Sequence, residues 1–243
     1  MKYLLALVTM VSMPAFAADL STSDMTGITF WLVTAAMLAA TVFFFAERDV
    51  VKGKWKTSLS VAGLVTGVAF WHYLYMRGVW ADTGTSPTVY RYIDWLITVP
   101  LQMIEFYIIL AAVAAVSAGI FWRLLIGTLV MLVAGYAGEA GFINAWAGFI
   151  VGLAGWAYIL YEIFAGEAGK AAADKCPAAV QTAFNTMRWI VTVGWAIYPL
   201  GYILGVGSNP DMANANIIYN LADFINKIAF GLAIYVAAVS DSE

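Results

Sequence analysis

The stretch ITFWLVTAAMLAATVFFF, residues 28–45, decides the fold. Its eighteen consecutive positions carry no charge, and an α-helix needs roughly 20 mostly apolar residues to cross the hydrocarbon of a bilayer. Strands of a membrane barrel alternate polar and apolar side chains. Here, and again from Leu124 to Ala134, apolar residues run on consecutive positions, so a helix is the expected element. The whole 243-residue chain shares this character: 63% apolar, 11% charged, mean hydropathy +0.83, against about 25% charged residues in ordinary soluble domains. Twelve basic and 15 acidic side chains could not cover the surface of a soluble domain of this size, so most of the exterior must face lipid. The net charge of -3 and the scattered basic residues exclude nucleic acid as a partner. The single Cys176 can form no internal disulfide, and no metal site is expected.

The first 17 residues read as a processing signal. Lys2 precedes a short apolar run, Tyr3 to Met13, which ends in Pro14-Ala15-Phe16-Ala17. A positive start, a brief apolar core and an A-x-A end mark a secretory signal peptide, with cleavage expected after Ala17. Residues 18–243 then form one domain, with apolar segments near 26–46, 57–80, 88–116, 121–138, 143–165, 180–206 and 214–239. The expected fold is an all-α, seven-transmembrane helix bundle. Gly166 to Pro177 is read as a charged separator between spans five and six.

Seven spans put the termini on opposite sides. Arg48, Lys52, Lys54, Lys56, Arg123, Lys170, Lys175 and Arg188 fall on or beside the side that holds the C-terminus, against Arg77 on the other. Basic loops stay in the cytoplasm, so the N-terminus is expected outside and the C-terminus inside a bacterial inner membrane. The signal peptide leads to the same orientation independently.

An ionisable group at mid-membrane costs at least about 2.5–3.5 kcal/mol and is a functional candidate by default. Span three carries Arg91, Asp94 and Glu105, span seven carries Asp223 and Lys227, and span two carries His72. Lys227 lies too deep to snorkel easily. It can be neutralised by Asp223, one turn earlier on the same face. Alternatively, its amine can condense with an aldehyde to give an imine whose protonated form needs a carboxylate counter-ion. Asp94 and Glu105 are eleven residues apart, about three turns or roughly 16 Å along one face of the helix. Thr98 follows Asp94 by one turn and can hydrogen-bond to it. His72, at a similar depth, can do the same or simply fill a packing position. Arg91, one turn outward, can offset the Asp94 charge or snorkel to the interface. Glu139, near a helix end, is expected to be a solvated or interfacial carboxylate.

The segment Arg91-Tyr92-Ile93-Asp94-Trp95-Leu96-Ile97-Thr98-Val99-Pro100-Leu101-Gln102-Met103-Ile104-Glu105, the Asp223 and Lys227 pair, and Trp195, Tyr198, Pro199 and Tyr202 together resemble the microbial rhodopsins, and specifically their proteorhodopsin group. The resemblance spans essentially all of the mature chain. It implies that Lys227 carries all-trans-retinal as a protonated Schiff base, with Asp94 as primary proton acceptor, Asp223 completing the counter-ion and Arg91 beside it. Glu105 matches the cytoplasmic proton donor, and His72 and Thr98 would adjust the proton affinity of the acceptor. Trp95, Met131, Gly135, Phe149, Trp195, Tyr198, Pro199 and Tyr202 would line the chromophore. Gln102 matches the spectral-tuning position, where a polar residue resembles the blue-absorbing members and leucine the green ones.

The function so implied is a light-driven outward proton pump that generates proton motive force, a transporter rather than an enzyme. Its partners would be membrane lipid, protons and further copies of itself in a pentamer or hexamer. Two other readings stay open at this point: a sensory photoreceptor with the same chromophore, and a solute transporter that uses the Lys227 and Asp223 pair without retinal. The chain lacks the glutamate pair between Tyr202 and Asp223 that releases protons early in archaeal pumps, and only Asp211 stands there.

Overall fold

The computed structural model describes residues 20–206 and 209–242, so the expected signal peptide lies outside the described residues. Among the described residues, seven helical segments are long and apolar enough to cross a membrane. The first four are single helices: α1 (Met25–Glu47), α2 (Trp55–Thr83), α3 (Thr88–Val113) and α4 (Ala118–Glu139). The fifth segment joins α5 (Ala145–Phe164) to a short α6 (Glu167–Lys175). The sixth runs through α7 (Ala178–Trp189), a π-helical turn at Ile190–Gly194 and α8 (Ile197–Val206), and the seventh is α9 (Met212–Ser242). No strand occurs among the described residues. The chain is therefore a multi-pass membrane protein of the expected class.

Local chemistry sets the helix starts. A helix leaves its first N–H groups without intrahelical partners, and a short polar side chain just before it can accept from them. Asp24 Oδ1 accepts from Gly27 N–H at 2.9 Å to open α1, and Asn144 Oδ1 accepts from Ala147 N–H at 3.1 Å to open α5. Gly84, at φ +63°, closes α2 in the left-handed conformation that a side chain disfavours.

Each span packs against the next, and α9 closes the ring against α1, α7 and α8. Lipid offers no hydrophobic drive between helices, so small residues that let backbones approach matter most. The α4–α5 contact shows this. A Cβ added at Gly155 would lie 2.8 Å from the Met131 amide nitrogen and 2.9 Å from the Gly127 carbonyl oxygen, both backbone atoms that cannot swing aside. Gly155→Ala is therefore expected to destabilise the bundle by about 1–3 kcal/mol, read as a lower midpoint for thermal unfolding in detergent. Leu32, Trp122, Ile126, Ile150, Val193 and Val236 are exposed on the outside, where lipid would meet them.

Two stretches differ from the expectation. Gly166 to Pro177 is not merely a separator, because it contains α6. Its Glu, Ala and Lys residues are good helix formers although too polar to span. Its first turn is anchored by buried Glu162, whose Oε1 accepts from Ala168 N–H at 3.0 Å while Arg123 clamps the same carboxylate at 2.9 and 3.1 Å. Cys176, at the end of α6, is buried, and burial pushes its thiol up, away from the reactive thiolate. The sixth span is not one continuous α-helix either. At the π turn, Trp156 Nε1 donates to the Val191 carbonyl and Asn226 Nδ2 donates to the Gly194 carbonyl, each at 3.0 Å. Neighbouring helices thus satisfy carbonyls that the irregular turn presents.

Candidate functional site

Asp223 and Lys227 are one turn apart on α9, and the tilt of their side chains along the helix brings them together. Lys227 Nζ donates to Asp223 Oδ2 at 3.1 Å and to Asp94 Oδ2 on α3 at 2.5 Å. All three residues are buried, between 0% and 2% exposed. A simple structural pair with Asp223 would need one carboxylate, whereas here a second helix supplies another. With Arg91 buried nearby, two cations and two carboxylates meet inside the bundle, a concentration of charge that packing alone does not call for.

The two carboxylates are not equivalent. Asp223 is saturated with donors: Tyr73 Oη at 2.9 Å from α2, Tyr198 Oη at 2.7 Å from α8 and Trp95 Nε1 at 3.2 Å from α3, besides the lysine. Asp94 is held by Lys227 through Oδ2, and its Oδ1 makes no hydrogen bond among the described residues. Asp94 is thus the member of the pair with an oxygen open to a proton.

The neighbours expected around Asp94 are close but differently engaged. His72 Nδ1 lies 3.9 Å from Asp94 Oδ1, outside hydrogen-bond range, and pairs with the Val68 carbonyl oxygen at 2.9 Å. Thr98 Oγ1 donates to the backbone carbonyl of Asp94 at 3.0 Å, which fixes the helix turn rather than the carboxylate. Arg91 does not snorkel: it is buried and turned away from both aspartates. Its Nη2 donates to Asn216 Oδ1 at 2.8 Å and Asn220 Oδ1 at 3.0 Å, and its Nη1 donates to Tyr73 Oη at 3.3 Å. Arg91 therefore reaches Asp223 through Tyr73 and has no direct contact with Asp94.

Beside the charged cluster lies an apolar cavity. Trp95, Met131, Gly135, Phe149, Trp195, Tyr198, Pro199 and Tyr202, the eight residues expected to line a chromophore, all face it. Tyr92, Gly148, Gly152, Trp156 and Tyr219 also line it and escaped the reading from sequence. Trp95 and Tyr198 belong to both places, since each lines the cavity and donates to Asp223. The cavity wall therefore continues into the lysine cluster. Gln102 is not part of the wall, yet it is buried on α3 with its Nε2 unpartnered. Glu105 is buried further along α3, where Ser58 of α2 faces it.

Tyr73, Asn216 and Asn220 were missed for a common reason. In a membrane helix an aromatic residue reads as packing and an amide as a neutral polar position, and neither discloses an ion network formed across helices. Of the two positions expected for Glu139, solvated or interfacial, the structure fits the second better. The residue is half-buried, and Tyr92 Oη donates to its Oε2 at 2.9 Å.

Comparison with known proteins bears on all of these residues. The profile of the bacteriorhodopsin-like protein family matches residues 24–240. The chain is 60% identical to the green-light absorbing proteorhodopsin of Gamma-proteobacterium EBAC31A08, over 100% of this chain and 99% of the relative. It is also 60% identical to the blue-light absorbing proteorhodopsin of Gamma-proteobacterium Hot 75m4, over 99% and 98%. Among solved structures, the blue light-absorbing proteorhodopsin from Med12 superposes with a TM-score of 0.79 at 61% identity, covering 90% of this chain and 100% of the other. The rhodopsin of Exiguobacterium sibiricum, at 34% identity, gives a TM-score of 0.81 over 90% and 97%. With its lysine cluster, aromatic cavity and seven spans, the chain belongs to the bacteriorhodopsin-like family, within its proteorhodopsin group.

Proposed function

We propose that this protein is a light-driven pump that moves protons outward across the bacterial inner membrane, with all-trans-retinal attached to Lys227. The observation that carries the reading is the asymmetric pair of carboxylates around one buried lysine, at the edge of an apolar, aromatic-walled cavity. The cavity suits an elongated polyene. Its walls are indole, phenol and aliphatic surface, with Gly148 and Gly152 set where α5 lies directly against the α4 backbone. Bound to Lys227 Nζ as an imine, retinal would supply light absorption and a light-driven change in the direction in which the nitrogen's proton points.

The chain's own residues supply the rest. Asp223, saturated by Tyr73, Tyr198 and Trp95, stays a fixed counter-charge, and Asp94 takes the proton from Nζ. Glu105, about three helical turns away on the same face of α3, replaces the proton at Nζ and is refilled from its own side of the membrane. Direction follows from loop charge. The end of the bundle where α9 terminates carries Lys52, Lys54, Lys56 and Arg123, which supports a cytoplasmic position for it. Glu105 then faces inward and Asp94 outward. The proteorhodopsin relatives are named for absorbing light, which accords with this reading. Assembly into a pentamer or hexamer is proposed from the family resemblance.

The test is to express the chain in cells, add all-trans-retinal and illuminate them in unbuffered medium. A visible absorption band should appear, and the medium should acidify in light, with the signal abolished by a protonophore. No band would refute the retinal reading, and a band without acidification would favour a sensor. Gln102→Leu tests the colour assignment. It should move the band to longer wavelength while acidification persists, because the change removes a buried, unpartnered amide from α3 and leaves every proton-carrying group in place.

A further inference from the structure

Besides Asp94 and Asp223, the described residues include four carboxylates on the half of the bundle where α1 begins: Asp24, Asp82, Glu139 and Asp211. Three of them stand apart from the interior. Asp24 caps α1 and accepts from Trp80 Nε1 at 3.1 Å. Asp82 is exposed. Asp211, also exposed, accepts from the backbone and side-chain amides of Asn214 at 3.1 and 2.6 Å, which hold its carboxyl below the usual range and keep it ionised.

Glu139, the last residue of α4, is instead drawn into the bundle. It accepts from Tyr92 Oη at 2.9 Å, and the hydroxyl of Tyr219 on α9 also turns toward it. Tyr202 of α8 donates to the Ala145 carbonyl of α5 at 2.7 Å and faces the same carboxylate. A Cβ at Gly205 would lie 3.8 Å from Glu139 Oε1, so α8 passes close without a side chain in between. Tyr92, Tyr202 and Tyr219 all line the cavity. Arg91 of α3, which is joined to Asp223 through Tyr73, places its guanidinium carbon 5.1 Å from the centre of the Tyr219 ring. Hydroxyl and guanidinium groups thus lead from the lysine cluster toward Glu139, with one step, from Arg91 to Tyr219, across a ring face instead of a hydrogen bond. Asn216 and Asn220, on the other flank of Arg91, accept from its Nη2 and offer no carboxylate that could store a proton.

We propose that Glu139 is the relay carboxylate on the outward leg of transport. The inference rests on the pump reading above. Asp94 loses the proton it has taken from Nζ and returns to a carboxylate, while the Glu139 carboxylate gains a proton and becomes a carboxylic acid. Glu139 then releases that proton to the outer medium and is a carboxylate again, so one proton crosses per cycle. The Tyr92 hydroxyl can donate to the ionised form and turn to accept from the neutral one.

The experiment uses the retinal-reconstituted full chain, flash excitation and a pH-indicator dye in unbuffered medium, with infrared difference spectra recorded in parallel. In the wild type, a carboxylic-acid C=O band should rise as that of Asp94 falls. In Glu139→Gln that band should be missing, and both Asp94 recovery and dye-detected release should slow by at least about tenfold, with the visible band unchanged. Glu139→Asp should restore most of the rate, and Tyr92→Phe should slow release less than Glu139→Gln does. Should Glu139→Gln form no pigment, the infrared band in Glu139→Asp and Tyr92→Phe decides. Wild-type kinetics in Glu139→Gln, equal slowing in the glutamine and aspartate variants, or no second carboxyl band would overturn the relay. A wild type that forms no pigment or releases no proton would instead overturn the pump reading.

Discussion

Lys227→Ala should yield a protein with no visible absorption band at any retinal concentration and no light-induced pH change. The reason is covalent: among the described residues, Nζ of Lys227 is the amine brought into the buried cluster beside the cavity, and an alanine offers nothing to condense with an aldehyde. The substitution also leaves Asp94 and Asp223 buried without their shared cation, and breaking such a pair typically costs about 3–5 kcal/mol. A lower yield of folded protein is therefore expected alongside the loss of colour. Lys227→Arg separates the two effects. Its guanidinium keeps a positive charge between the carboxylates but does not form the imine, so it should fold better than the alanine variant and remain colourless. A retinal-dependent visible band in either variant would remove Lys227 from its assigned place.

Asp94→Asn should keep the pigment and lose the transport. The asparagine is nearly isosteric and can still accept from Nζ, and Asp223 remains with its three other donors, so the retinal site survives with one counter-charge. The oxygen that was open to a proton is gone. Light-driven acidification should fall by about two orders of magnitude or to background, in keeping with removal of the group that accepts a proton. The visible band should also stop responding to pH through the titration of this residue, which an absorbance titration measures directly. The matching change at Asp223 should behave differently. Asp223→Asn disturbs Tyr73, Tyr198 and Trp95 together, so its main effect should be on pigment yield and colour. Undiminished pumping by Asp94→Asn would refute the assignment of the acceptor.

Much of this site is visible in one dimension because the bilayer makes charge rare. Arg91, Asp94, Glu105, Asp223 and Lys227 stand out against long apolar runs, and the spacings within α3 and α9 place them on shared faces by helix geometry alone. The eight cavity residues were legible in a different way, through resemblance, since indole and glycine in a membrane helix have no distinctive spacing. What escaped detection has a physical pattern. Tyr73, Asn216, Asn220 and the tyrosines around Glu139 are ordinary residues in their own helices and acquire a role through partners far away in the chain. Helix α6 was overlooked because a search for spans discards short polar segments, although Ala, Glu and Lys favour helix.

The sequence by itself determined that the chain crosses a membrane as seven helices, which charges lie at depth, and how the basic residues divide between the two ends of the bundle. These are properties of single segments in a low-dielectric solvent, where each residue's cost of burial and each helix's periodicity act locally. Only the tertiary structure decided how the charges divide their work. It joined Lys227 to two carboxylates, saturated Asp223 while leaving an oxygen of Asp94 open, turned Arg91 toward two asparagines, and drew Glu139 inward onto Tyr92. A hydrogen bond depends on distance and direction between helices that the chain brings together from far apart, 150 residues for Tyr73 and Asp223, and no local pattern encodes that distance.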